Sequence, residues 1–182
     1  MCGSGTYASS SASAACLSCP AGYMCATPFE PPVLCGVGYV SGGAASTCRL
    51  CPNGTTTDGT HLSCITCSAG YACPDATAPP TACAAGTYSS AGEIACHTCP
   101  AGSHCPTPAS LPLVCGAGTY SGAGATACTP CPAGYSCANA SSSPVACSAG
   151  HFSLQGNGSC TACSVGYACS STAALPVACT GR

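Results

Sequence analysis

The chain has 182 residues, of which 23 are cysteine, 23 glycine and 16 proline, and only 3% carry a formal charge. It contains no lysine, and its two arginines, Arg49 and Arg182, are separated by most of the chain, so the cluster of cations that neutralises nucleic-acid phosphates is missing, as is the lysine of a phosphate-binding loop. The four acids, Glu30, Asp58, Asp75 and Glu93, and the four histidines are spread over the chain with no acid and base side by side, so an enzyme is not expected, and neither is a cofactor.

Although 47% of the residues count as hydrophobic, much of that is alanine and cysteine. Leucine, isoleucine, valine and phenylalanine together make up roughly a tenth of the chain, a level at which burial does not offset conformational entropy. Cysteine stands above the roughly 8–10% that marks a secreted disulfide scaffold. Covalent bridges are therefore expected to replace the aliphatic core.

In chain order the cysteines fall into half-units of 16 residues, two to a 32-residue repeat, and each half-unit owns two cysteines. A long half-unit holds Cys2 and Cys16, a short one Cys19 and Cys25, then two long ones in succession hold Cys35 with Cys48 and Cys51 with Cys64. From there short and long alternate: Cys67 with Cys73, Cys83 with Cys96, Cys99 with Cys105, Cys115 with Cys128, Cys131 with Cys137, Cys147 with Cys160, and Cys163 with Cys169. Cys179 opens a further half-unit and has no second cysteine in the sequence, so it is expected to be unpaired here. One short half-unit reads as missing near residues 48–63, and the array of residues 1–182 reads as cut at both ends, entering mid-repeat at Met1 without the apolar stretch of a signal peptide. No apolar run is long enough to span a membrane.

Three residues after each opening cysteine stands a glycine, from Gly22 to Gly166, which implies a positive φ or a close chain approach in a turn. Short half-units carry a proline three residues before the next opening cysteine (Pro32, Pro80, Pro112, Pro144 and Pro176), which holds that stretch extended. Long half-units place an aromatic residue five positions after the cysteine, at Tyr7, Tyr88, Tyr120 and Phe152, expected to pack on the bridges and on the next unit rather than to form a ligand cage. Interruption by glycine, proline and cysteine predicts little helix and only short β pieces: a small disulfide-rich repeat array of irregular turns, strung into an elongated rod.

Two bridging schemes are compatible with the spacing. Closure inside each half-unit survives the missing half-unit, since its loss removes one complete bridge. A scheme that crosses half-units, joining Cys16 to Cys25 and Cys19 to Cys35, strands Cys48 and Cys51 or forces them together. The CxxC pairs, Cys16 with Cys19, Cys48 with Cys51, Cys64 with Cys67, Cys96 with Cys99, Cys128 with Cys131 and Cys160 with Cys163, also have zinc-ligand spacing. A constant-distance partner for nearly every cysteine favours bridges, and no metal is expected. Three sequons, at Asn53, Asn139 and Asn157, fit a secretory route, and sugars there and on the Ser, Thr and Pro stretches would solvate a surface almost without charge.

The stretches Cys-Pro-Ala-Gly-Tyr at 19–23 and 131–135, with Cys-x-x-Gly-Thr-Tyr-Ser at 83–89 and 115–121, resemble the cysteine-rich repeats of ephrin-receptor-like and tumour-necrosis-factor-receptor-like ectodomains. They also resemble repeats in long surface and filament proteins of unicellular eukaryotes, including the hair-like fibres on flagella. The resemblance implies short β-turn modules, with the long half-unit closed by its own disulfide. The function expected is that of an extracellular structural repeat protein forming or decorating a fibre or cell-surface layer, with copies of itself or related repeat proteins as partners and glycans attached. A ligand-binding receptor or adhesion ectodomain is the alternative.

Overall fold

The computed structural model describes residues 2–10 and 15–179; Met1 and Arg182 lie outside them. Each half-unit forms one hairpin, and the eleven hairpins are separate two-stranded antiparallel sheets. Among the described residues there is no helix, and every strand is two residues long except Thr55–Thr57 and Cys64–Thr66. This is a small disulfide-rich repeat array.

One turn explains the repeat. The N–H of Tyr23 donates to the carbonyl of Pro20 at 3.2 Å, and Gly22 between them sits at φ +83°. A positive φ at the third residue of a four-residue turn is the type II geometry, which only glycine adopts without strain. The same bond recurs in every half-unit, from Thr6 to Gly3 through to Tyr167 to Ser164. The chain then runs out along the first strand and returns along the second, with Tyr23 opposite Leu34 and Met24 opposite Val33. The N–H of Cys35 finally donates to the Gly22 carbonyl at 2.9 Å, and the equivalent bond closes all eleven hairpins. The 16-residue period is thus the length of one hairpin plus its return to the next cysteine.

A second left-handed position lies in the loops of the long half-units. Gly92, Gly124 and Gly156 hold it at φ +83°, +76° and +83°, but in the half-unit that opens at Cys35 the residue is Ala44, at φ +60°. Ala44 is exposed, so its Cβ contributes little packing while its backbone carries the left-handed penalty. Ala44→Gly is expected to stabilise the protein by about 0.5–1 kcal/mol, read as a higher denaturant midpoint at unchanged slope.

The chain divides into two compact units, Met1–Cys83 with Ser89–Cys96, and Ala84–Tyr88 with His97–Arg182. The first holds five hairpins and the second six. Their interiors are made of sulfur. Of the sixteen buried apolar residues among those described, thirteen are cysteines, and the others are Val40, Ala72 and Ala76. In the first unit Val40 and Ala76 pack with Cys51 against the half-buried Cys64.

Candidate functional site

The eleven disulfides all close within half-units. Long half-units join Cys2 to Cys16, Cys35 to Cys48, Cys51 to Cys64, Cys83 to Cys96, Cys115 to Cys128 and Cys147 to Cys160. Short ones join Cys19 to Cys25, Cys67 to Cys73, Cys99 to Cys105, Cys131 to Cys137 and Cys163 to Cys169. Cys19 therefore meets Cys25 and not Cys35, and Cys179 is unpaired and exposed. In the short half-units from Cys19 to Cys137 both cysteines are buried, whereas in the long ones from Cys35 onward the second cysteine, such as Cys96 or Cys128, is half-buried, and Cys16 is exposed. So many bridges belong to an oxidising compartment rather than a cytosolic one.

Each short half-unit from Cys19 to Cys131 is joined to the long one after it by a buried serine. Ser41, Ser89, Ser121 and Ser153 stand six residues after the opening cysteine of their long half-units and are nearly inaccessible to solvent. Each serine hydroxyl donates to a carbonyl of the preceding short half-unit: Ser41 to Tyr23, Ser89 to Tyr71, Ser121 to Ser103 and Ser153 to Tyr135, at 2.7–2.8 Å. The serine carbonyl in turn accepts the N–H of the turn glycine, as Ser153 does from Gly134 at 2.9 Å. Two bonds at one residue satisfy polar groups that burial would otherwise penalise, and they fix the step from one hairpin to the next. The neighbouring aromatics Tyr7, Tyr88, Tyr120 and Phe152 are half-buried. Tyr88 lies against His97 across its own hairpin, with ring centroids 5.8 Å apart. Ser89 and Ser121 end a Gly-Thr-Tyr-Ser stretch in the sequence and Ser41 and Ser153 stand at the same offset, but a small polar residue gives no sign of burial until its partner is known.

The two consecutive long half-units, opening at Cys35 and Cys51, keep the turn and alter the joint. Thr57 stands where the serine would be, and its hydroxyl accepts the N–H of Gly38 at 3.4 Å. The following loop is organised by Asp58, whose carboxylate accepts the hydroxyls of Ser63 and Thr60 at 2.6 and 2.8 Å and the N–H groups of Thr60, Leu62 and Ser63. These bonds, Ser63 first and Thr60 second, hold the Asp58 carboxyl well below the usual carboxylate range. Asp75 is lowered too, by the N–H and hydroxyl of Thr77. A depressed folded value means stability that is present above the ordinary pKa of 3.8 and lost as pH falls below it. The denaturant midpoint is therefore expected to be flat from about pH 5 to pH 8 and to fall in stronger acid, with Asp58→Asn removing part of that fall. In the same loop His61 holds φ +57°, and its Nδ1 is buried without a hydrogen-bond partner among the described residues.

The one close cluster of possible metal ligands among the described residues is His104 with Cys115 and Cys128, whose ligand atoms lie within 4.8 Å of one another. Both sulfurs are in one bridge, so neither is the thiolate a metal requires. The His104 Nδ1 lies 3.1 Å from the Leu113 carbonyl and 3.2 Å from the Cys128 sulfur. A carbonyl only accepts, so Nδ1 carries the proton and the histidine closes its own hairpin. Among the described residues no helix is long and apolar enough to cross a membrane.

What remains is surface. Asn53, Asn139 and Asn157 are all exposed on loops. At Asn139 the side-chain oxygen accepts the N–H and the hydroxyl of Ser141 at 3.0 and 2.7 Å. The outer faces of the hairpins carry exposed aliphatic and aromatic side chains, among them Val33, Ile65, Leu113, Val145, Val177 and Tyr71. Shallow clefts open where one hairpin meets the next: about 330 Å³ beside Leu34 and Tyr39, about 360 Å³ between Ile65, Tyr71 and Pro80, and about 260 Å³ between Phe152, Tyr167 and Pro176.

The chain matches no protein-family model and no curated protein sequence. Its assignment as a cysteine-rich tandem repeat array rests on its own bridges and hairpins.

Proposed function

We propose that this protein is an extracellular structural repeat protein, of the cysteine-rich ectodomain type, that forms or decorates a fibre or cell-surface layer. It works by association with copies of itself or related arrays rather than by catalysis. The observation that carries this reading is the recurrence of one joint, the buried serine bonded to the preceding hairpin, which presents the same outer face again at each repeat. A face repeated along an array suits open, heterologous contacts, which propagate instead of closing on themselves. The near absence of charge favours contacts made by packing, and glycans on the exposed Asn53, Asn139 and Asn157 would keep the remaining surface hydrated.

Electron microscopy of material from the native source is expected to show this chain in fibres or a surface layer, and sedimentation of the purified secreted chain to show a size distribution that grows with concentration. Dispersed monomers at every concentration, with tight binding of a defined soluble ligand, would transfer the protein to the receptor class.

A further inference from the structure

His104 connects its own hairpin to the bridge of the next half-unit. It stands five residues after Cys99 and pairs across the strands with Leu113. Its Nδ1–H faces the Leu113 carbonyl at 3.1 Å and the Cys128 sulfur at 3.2 Å, so one proton is shared between a backbone oxygen and a disulfide 24 residues further on. The corresponding places before other long half-units hold no such donor. Met24 and Ala72 have no side-chain proton to give, and the Ser136 hydroxyl donates to the Gly158 carbonyl at 3.1 Å. Ser89 and Ser153 come within 3.5 and 3.6 Å of the Cys83 and Cys147 sulfurs, but their hydroxyl protons go to the Tyr71 and Tyr135 carbonyls.

A disulfide sulfur is a weak acceptor, whereas a thiolate accepts a charge-assisted hydrogen bond about twice as strong as a neutral one. The bond from His104 therefore strengthens when the bridge opens, and it stabilises the reduced state selectively. We propose that Cys115–Cys128 is a thiol-exchange site, which low-molecular-weight thiols open ahead of the equivalent bridge Cys147–Cys160, with His104 holding the Cys128 thiolate. Access is provided on the Cys128 side, which is half-buried, while Cys115 is 7% exposed.

Two displacements complete the exchange. A small thiolate attacks the Cys128 sulfur, a mixed disulfide forms there, the bond to Cys115 breaks, and Cys115 leaves as a thiolate that takes a proton from solvent. A second small thiolate then attacks the small molecule's sulfur in the mixed disulfide. Cys128 leaves as the thiolate and receives the Nδ1–H of His104. Two small thiols have become one small disulfide, and the bridge has become two cysteines, so the electrons balance with the thiol as reductant. The loop that this bridge closes also contacts the preceding short half-unit: the Gly124 N–H donates to the Cys99 carbonyl at 2.7 Å, and the Ala125 carbonyl accepts the Cys105 N–H at 3.0 Å. Exchange at Cys128 thus acts on the joint between two half-units, whatever the array associates with.

Cys147–Cys160 is the internal reference, because it closes the same kind of half-unit with Cys147 at 9% exposure and Cys160 half-buried. The full chain, secreted with its eleven bridges formed, is equilibrated in glutathione buffers of graded redox ratio and quenched by alkylation, and molecules with one opened bridge are mapped by peptide mass. Cys115–Cys128 is expected to be open at least roughly tenfold more often than Cys147–Cys160. In His104→Ala that excess is expected to vanish. A histidine that merely held its own hairpin together would give the opposite result, a bridge that opens more readily once the ring is gone. Ser136→His places the ring at the same position before Cys147–Cys160 and is expected to raise the opening of that bridge at least roughly threefold; it decides the matter should His104→Ala fail to form its bridges. Equal opening of the two bridges in the wild-type chain, undiminished opening of Cys115–Cys128 in His104→Ala, or no rise in Ser136→His overturns the assignment.

Discussion

Reduction of the disulfides is expected to unfold both units at room temperature without denaturant. Among the described residues, Val40, Ala72 and Ala76 are the only buried apolar residues other than cysteines, so little apolar area opposes a backbone entropy of roughly 1–2 kcal/mol per ordered residue. A long half-unit's bridge spans 13 or 14 residues and restricts the unfolded chain by roughly 3 kcal/mol, while a short one spans 6 and contributes about 2.4 kcal/mol on the same chain-entropy scale. Eleven such constraints exceed the 5–15 kcal/mol net stability typical of a folded domain, so without them the balance reverses. The order of loss should follow burial. Bridges such as Cys83–Cys96 and Cys115–Cys128 offer a half-buried sulfur to an attacking thiolate, whereas Cys99–Cys105 has both cysteines at 1% exposure or less. Timed alkylation with mass spectrometry should find the long half-units labelled first, and protease resistance lost as the short ones open. A fully reduced, alkylated chain that stayed resistant would show that packing alone holds the fold.

Gly38→Ala is expected to be among the most damaging single substitutions, at about 3–4 kcal/mol. Two costs add. Gly38 holds φ +82°, which any L side chain resists by roughly 1–2 kcal/mol. A Cβ there would also lie 2.7 Å from the backbone carbonyl carbon and oxygen of Ala76 and from the Thr77 nitrogen, so two hairpins must move apart. Gly166→Ala separates the two effects: its φ is +87°, but a Cβ there meets nothing within 4 Å among the described residues. It should cost only the conformational part, roughly 1–2 kcal/mol. Denaturant midpoints of the two variants, with bridges intact, measure the difference. Equal losses would mean that the close approach at Gly38 contributes nothing.

The two glycines share a sequence signal and differ in surroundings. The 16-residue spacing, the recurring glycine and the scarcity of large aliphatics were enough to identify a disulfide-stapled repeat array with a tight turn after each opening cysteine. Such features are local: a cysteine's spacing and a glycine's φ demand operate within one half-unit, and repetition makes them visible without knowing which residues meet.

What links one half-unit to another depended on tertiary structure. Burial of Ser41, Ser89, Ser121 and Ser153, rather than of the aromatic residues beside them, follows from a carbonyl 18 residues earlier that needs a donor. The close approach of Gly38 to Ala76 crosses more than two half-units. Clefts beside Tyr39 and Tyr71 are lined from two successive half-units. Spacing specifies which atoms are covalently near; the partner of a hydroxyl, the neighbour of a Cα and the shape of a groove are set by how one hairpin packs on the next, which no single period records.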